Sequence, residues 1–375
     1  MLLWVMLWAG CGGGDDVADE LDDRVVSMPA PEMGYQVSTP PYVVEPFSEV
    51  QICSVVRLEP HADETLMWTN RLESLISDGS HHMNVLMGEF SVMDAFLGDG
   101  AAANVLGADV GQYPCDELAA MESAFPFFPS QRTNQEITFP KGVAAPLVAP
   151  ALIIFDHHYV NTSDRAVQIN AVLNIETMPP EEIEHVAGLV FDAIGEVSVP
   201  PGASRTHHRT CVMDRDVEVA LVSTHNHEWG ECATLHDYDG EQVADDPFYV
   251  NRLWESPPIL HFEEGSFPIR AGEGVHYACH YRNDTDRELV DDGTADGEMC
   301  VFAAVVYPTS LTVEQVETTV ETRDLVSLTT LLDETLGGCD DSVVTPGPWS
   351  DATRPIDDPD PCEGLEQTEG NVLDP

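Results

Sequence analysis

Four stretches of the chain carry residue types that bind transition metals, and their spacing decides what each could do. Ser80-His81-His82-Met83-Asn84-Val85-Leu86 puts two adjacent imidazoles ahead of an apolar run. Neighbouring side chains on a regular strand point to opposite faces, so both rings reach one ion only if the chain kinks there or the rings use different nitrogens. Taken alone, this is an ordinary strand start with two partly exposed histidines. Leu152-Ile153-Ile154-Phe155-Asp156-His157-His158-Tyr159 is apolar and β-branched before it turns polar, which reads as a strand. Period 2 puts Ile154, Asp156 and His158 on one face and Phe155, His157 and Tyr159 on the other, so one of the two histidines joins a site on a given face. Val219-Ala220-Leu221-Val222-Ser223-Thr224-His225-Asn226-His227 ends an apolar strand with two imidazoles on one face, a chelating pair. Gly297-Glu298-Met299-Cys300-Val301-Phe302-Ala303 opens a further strand with a thioether at its mouth. Buried methionine is usually gap filler. Beside imidazoles its sulfur suits copper cycling between Cu(I) and Cu(II), whereas zinc and iron sites more often recruit carboxylate or thiolate.

The elements that would position these residues are strands. Between residues 36 and 315, short β-branched runs alternate with Pro, Gly and Asp turns and helical periods are few, which predicts an all-β chain of antiparallel sandwiches. At 375 residues the chain exceeds one core, and Met178-Pro179-Pro180-Glu181-Glu182 breaks the strand pattern between the first three candidate ligands and the last three. The expected division is an N-terminal domain over 36–178 and a C-terminal domain over 179–315, with one metal site on each, facing across a cleft. Residues 316–375 then form an extension. Val313 to Leu336 has the composition for a helix, and from Cys339 onward Pro, Asp and Gly predict an irregular, partly disordered tail.

The apolar start ends Leu7-Trp8-Ala9-Gly10-Cys11, which resembles the lipobox of a bacterial lipoprotein, with Trp8 where leucine is usual and no basic segment before it. That resemblance implies a leader over 1–10, a lipid on Cys11 and an acidic flexible tether over 11–35; the alternative is an ordinary signal peptide. No other stretch reaches the roughly 18 apolar residues of a membrane span. Membrane attachment is therefore expected only through the lipid, in the periplasm or on the outer surface. The formal charge is −52, from 67 acidic and 15 basic residues, and Lys141 is the only lysine. Such a field repels nucleic acid and anionic lipid, and it fits a saline medium that screens self-repulsion. No phosphate loop, nucleophile elbow, EF-hand spacing or Cys-x-x-Cys pair occurs. Nine cysteines point to an oxidising compartment. With Cys11 set aside the remainder is even in number, but their pairing is open from sequence alone.

The order His-His-Met, His-Tyr, His-x-His, Glu-Met-Cys resembles the copper type II, ascorbate-dependent monooxygenases, the family of peptidylglycine alpha-hydroxylating monooxygenase and dopamine beta-monooxygenase. The likeness extends to Cys53-Ser54-Val55-Val56-Arg57-Leu58-Glu59-Pro60 before the first motif and to Pro140-Lys141-Gly142-Val143 before the second. Ala187-Gly188-Leu189 and Val199-Pro200-Pro201-Gly202 resemble the opening of the family's second domain. It runs from about residue 40 to about residue 315.

The resemblance implies two tandem jelly-roll-like domains and two coppers per chain. His81, His82 and His158 would hold the electron-transfer copper, and His225, His227 and Met299 the copper that binds oxygen. A reductant such as ascorbate would supply electrons, and a small organic substrate would be hydroxylated at a C–H bond while the second oxygen atom becomes water. The resemblance also implies disulfides Cys53–Cys115 and Cys279–Cys300, and a bridge from Cys211 to a later cysteine, Cys339 being the candidate; Cys232 and Cys362 have no precedent in it. His157 is an extra histidine that alternation turns away from the site. His61, His185, His207, His208, His236, His261, His276 and His280 have no motif support and read as surface or packing residues. Where the peptide-amidating members carry an arginine, an asparagine and a tyrosine for their substrate, this chain has Ser223, Val301 and Ala303. Peptide amidation and catecholamine hydroxylation are therefore not assigned. The alternative function is a non-catalytic copper-binding surface lipoprotein, and the sequence carries no sign of an oligomeric state.

Overall fold

The structure, a computed structural model, describes residues 21–60, 65–98, 100–118, 124–291, 297–323, 336–337, 339, 352–358 and 361–371. The leader, Cys11, the first half of the tether and His61 lie outside the described residues. Those described form antiparallel sheets for the most part, packed face to face, with no closed barrel among them.

The first pair of sheets uses residues 34–186. One sheet runs Gly111–Pro114, Ser48–Leu58, Ala151–Asn161, Ser80–Met87, Phe125–Ser130, and the other runs His185–Val186, Val143–Val148, Leu66–Ile76, Ala171–Thr177, Gly34–Ser38. Ile153, Phe155, Met83 and Val85 from the first pack against Leu72, Ile76, Leu173 and Ile175 from the second. The central strand is apolar on both faces because two helices cover its outside: Glu89–Leu97 and Ala101–Leu106, where Leu106 and Ala102 meet Leu152 and Ile154. Few helical periods are evident before residue 315, and these two short glycine-bounded helices are the exception.

The second pair uses residues 188–355. Val217–His225, Val301–Tyr307 and Gly188–Ala193 form the middle of one sheet, and Gly230–Tyr238, Gly274–Asn283 and Ala203–Val212 the middle of the other. Val219, Phe302 and Ala304 pack onto Leu235, Tyr277 and Cys279. Beyond the break at Met178–Glu182, His185–Val186 pairs in parallel with Val143–Val148.

The two halves share apolar surface. Ala220, Leu221, Ile259 and Tyr307 belong to the same buried cluster as Met67, Phe139 and Leu147. The helix Val313–Thr322 returns to the first half, burying Val316 and Val320 against Trp68, Val92 and Phe96. Its start is a capping box, in which the Gln315 amide donates to Thr312 Oγ1 and the Thr312 amide to Gln315 Oε1. The described part of the tail is irregular yet anchored: the Thr368 amide donates to the Val250 carbonyl at 2.9 Å and Asn371 Nδ2 to the His261 carbonyl at 3.0 Å.

Disulfides join Cys53 to Cys115, Cys211 to Cys339, Cys279 to Cys300, and Cys232 to Cys362. The first three are the pairs that the resemblance implies; the fourth ties the tail to the second sandwich. Four such bonds place the folded chain in an oxidising, extracytoplasmic environment. No helix among the described residues is long and apolar enough to cross a membrane.

Candidate metal centre

His158 lies on the outer face of Ala151–Asn161, with Asp156, and His82 is its partner across the ladder. One residue later the register slips: Tyr159 pairs with Ser80, which leaves His81 as the extra residue of a β-bulge. The bulge is the kink that adjacent histidines require, since it turns His81 to the side that His82 and His158 occupy. His81 Nδ1 lies 3.1 Å from His158 Nδ1 and 3.2 Å from His82 Nδ1. Three nitrogens bound to one ion at about 2.0 Å would stand roughly 3.3 Å apart, so the spacing is that of a ligand set.

The proton inventory supports the same fit. His158 Nε2 donates to Glu49 Oε1 at 2.6 Å, which leaves the His158 Nδ1 lone pair facing the other two rings. A proton on one Nδ1 serves one neighbour and leaves a lone pair opposed, whereas a cation at the centre takes all three. Burial first, then the charge that His158 would carry, holds His81 below the usual histidine range and His82 well below it. A neutral imidazole is the metal-binding form.

The second group forms where Val217–His225 ends. His225 and His227 stand edge to face with ring centroids 5.0 Å apart. His227 Nδ1 donates to the Gly297 carbonyl at 3.0 Å, and His225 Nδ1 faces Gln131 Oε1 at 3.4 Å, so a partner on Nδ1 orients each ring. Burial, then the neighbouring His227 and His81, lowers His225 to about 3. The turn between the two histidines is built by close packing: Asn226 Nδ2 donates to the His227 carbonyl at 2.9 Å, and a Cβ on Gly230 would lie 2.0 Å from that nitrogen.

Glu298 ties this turn to the methionine segment. Its buried carboxylate accepts the His227 amide at 2.9 Å and the Trp229 amide at 2.6 Å. Burial pushes it up to about 7 against the pull of these backbone donors. Met299 is held on both sides, by the Cys279–Cys300 disulfide and by Tyr281, whose hydroxyl donates to the Met299 carbonyl at 2.6 Å.

His81, His82, His158, His225 and His227 all line one cavity of about 230 Å³, with Gln131 and Trp254. Trp254 comes from the second half and packs against His81 with centroids 5.2 Å apart, and its carbonyl accepts Gln131 Nε2 at 3.2 Å. Met299 lines the adjoining cavity, which shares His225 and Gln131 with the first. Two imidazoles with a thioether would make a soft donor set, one that suits copper better than zinc or magnesium.

His157 is buried away from this cluster, with Nε2 2.8 Å from Ser80 Oγ. His207, His208, His236, His276 and His280 lie on the second sandwich, where His276 and His280 pair with threonine hydroxyls at 2.8 Å. His261 contacts Asn371 and His185 packs against Tyr307. The other described groupings of metal-type side chains contain cysteines already joined in disulfides. Glu49, Gln131 and Trp254 belong to none of the sequence motifs, and Glu298 enters only as the first letter of Glu-Met-Cys, with no role attached. Glu49 sits diagonally across from His158 because Val160 pairs with Glu49 and His158 with Gln51. No local pattern announces that neighbour. No protein-family model matches the chain, and a comparison with curated proteins finds no match.

Proposed function

We propose that this protein is a copper-dependent monooxygenase similar to the type II, ascorbate-dependent enzymes. It would hydroxylate a C–H bond of a small organic substrate: R–H + O2 + 2 H⁺ + 2 e⁻ gives R–OH + H2O, with the electrons from two one-electron oxidations of a reductant such as ascorbate. The observation that carries the reading is the convergence of the His81, His82 and His158 Nδ1 atoms, beside a second imidazole pair and a thioether. Copper, when bound, supplies one-electron storage at each site and the activation of oxygen.

The chain's own residues do the positioning. Glu49 fixes the tautomer and ring angle of His158. The bulge at His81 brings adjacent histidines to one side. Glu298, Gly297 and the Cys279–Cys300 bond set the geometry of His227 and Met299. Trp254 packs against His81 and restricts the tilt of that ring. In this reading the two sandwiches are tandem jelly-roll-like domains with one metal site on each, and Cys11 carries a lipid that tethers the body to a bacterial envelope through residues 11–35.

The test is copper stoichiometry with ascorbate-dependent oxygen consumption, on the native chain and on Met299→Ala and His158→Ala. Two coppers per chain, with oxygen use lost in both variants, are expected. Two coppers without reductant-dependent oxygen use across a substrate panel would leave a non-catalytic copper-binding protein, and fewer than one copper would sink both readings.

A further inference from the structure

The cavity beside Met299 has a chemistry of its own. Its volume is about 180 Å³, and Phe127, Ile137, Leu221, Ile259 and Val305 supply apolar wall from both halves of the chain. No Asp, Glu, Lys or Arg lines it. Its polar members have protein partners, Gln135 through a long contact from Nε2 to the Glu136 carbonyl at 3.4 Å. Ser223 Oγ donates to the Pro258 carbonyl at 3.0 Å, Gln131 Nε2 to the Trp254 carbonyl at 3.2 Å, and Thr224 Oγ1 lies 3.3 Å from Tyr249 Oη. Asn84 is hydrogen-bonded to Asp156. What the wall presents to a guest is therefore mainly hydrocarbon, with His225 and Met299 among the lining residues. Ser223, Val301 and Ala303, which stand where the peptide-amidating enzymes have their substrate clamp, all border this space.

We infer that the substrate of the monooxygenase proposed above is a neutral, apolar molecule of about one aromatic ring with a short alkyl chain. The argument is one of exclusion and of size. An ion entering this cavity would lose its hydration and find no opposite charge among the lining residues. A hydrocarbon loses nothing and buries its surface. Apolar cavities of about 150 Å³ take up benzene, so one of this size holds a ring with one or two further carbons. The alkyl carbon nearest Met299 would be the one hydroxylated, with the balance given above: one C–H bond breaks, one C–O bond forms, and the second oxygen atom leaves as water.

The inference rests on the copper reading for the word substrate, but the binding itself is measurable without metal. The experiment is a titration of full-length metal-free and Cu(I)-loaded protein with ethylbenzene, benzoate and phenethylammonium, followed by ligand-observed NMR and by thermal shift. Ethylbenzene is expected to bind at least tenfold more tightly than either ion in both forms. Ala303→Phe should fill the space and abolish ethylbenzene binding while copper stoichiometry stays unchanged. Ser223→Arg should reverse the preference and favour benzoate, a gain that misfolding cannot imitate. Benzoate or phenethylammonium binding to the native chain as tightly as ethylbenzene would overturn the inference, as would no ethylbenzene binding at all, even with both coppers present. Ethylbenzene binding in a chain that takes up no copper would overturn its role as substrate and, separately, the copper reading.

Discussion

Glu49 offers the sharpest test of whether the three converging histidines are a metal site. Its carboxylate accepts from His158 Nε2 at 2.6 Å and touches neither His225 nor His227 through any described hydrogen bond. A metal-ligating histidine whose outer nitrogen donates to a carboxylate is a stronger and better oriented ligand, and removing such a partner costs about 10- to 100-fold in metal affinity. The Glu49 side chain is 56 % exposed, so water shares the hydrogen bond and screens the charge, which places the expected loss at the low end. Glu49→Ala should therefore weaken copper at this site about tenfold, about 1.4 kcal/mol. Glu49→Gln keeps a neutral acceptor, and neutral hydrogen bonds have about half the strength of charge-assisted ones, so its loss should be about threefold.

The assay is competition for Cu(I) against a chromogenic chelator, run on the native chain, on the two Glu49 variants, and on each of them combined with Met299→Ala and His225→Ala so that one site is read at a time. The affinity of the His225–His227–Met299 site should not change. Equal loss at both sites would mean that Glu49 acts on the fold rather than on His158. No loss in Glu49→Ala would refute the claim that His158 binds metal through Nδ1.

Three further outcomes follow from other parts of the structure. Gly230→Ala drives a Cβ to 2.0 Å from Asn226 Nδ2, so it should cost about 1–3 kcal/mol of stability and one equivalent of copper while the three-histidine site stays loaded; retention of both coppers with unchanged melting refutes the packing argument. Reduction of the loaded protein by ascorbate, an anion, should accelerate as ionic strength rises from about 10 to about 150 mM and the Debye length falls from about 30 to about 8 Å, because the chain carries a formal −52 and Glu49 and Glu228 line the histidine cavity; stopped-flow rates that fall with salt would refute it. The Arg71 guanidinium, 2.8 Å from Glu136 and also bonded to Glu176, holds the Glu136 carboxyl below the usual carboxylate range. A depressed folded pKa contributes stability above the unfolded value, about 4.3, and loses it as pH falls through the folded one. Arg71→Met should therefore lower the melting temperature at pH 7 and approach the native chain as pH falls below the unfolded value; parallel curves would exclude that coupling.

How much of this was readable in advance depends on whether a feature is local. The alternation across Asp156, His157 and His158 is a property of six consecutive residues, Ile154 to Tyr159, and the structure turns His158 to the outer face and His157 inward. The Thr312 capping box is local in the same way. The need for a kink at His81-His82 was also visible, but its form was not, because a bulge exists only relative to a partner strand, and that strand lies 77 residues downstream. The pairing that brings Glu49 to His158 spans 109 residues and leaves no periodic trace in either strand. The helices at 89–106 escaped for a different reason. They are short, bounded by glycine, and buried on one side by an apolar strand rather than marked by an amphipathic stripe. The pairing of His185–Val186 with Val143–Val148 escaped because a two-residue strand is too short to show a period.

The same distinction bears on the centre itself. Ligand chemistry is carried by residue type, so His81, His82, His158, His225, His227 and Met299 can be picked from a string of letters. Their surroundings are carried by the meeting of two sandwiches. Gln131 comes from the first half and Trp254 from the second, each contacts the other, and Gln131 borders both cavities. The wall of the apolar cavity is likewise split, Phe127 and Ile137 from one half and Leu221, Ile259 and Val305 from the other. A substitution at Phe127, Ile137, Leu221, Ile259 or Val305 reshapes that wall without replacing any of the six candidate donors. In the proposed reading, the departures at Ser223, Val301 and Ala303 therefore weigh on the substrate and not on the candidate metal ligands.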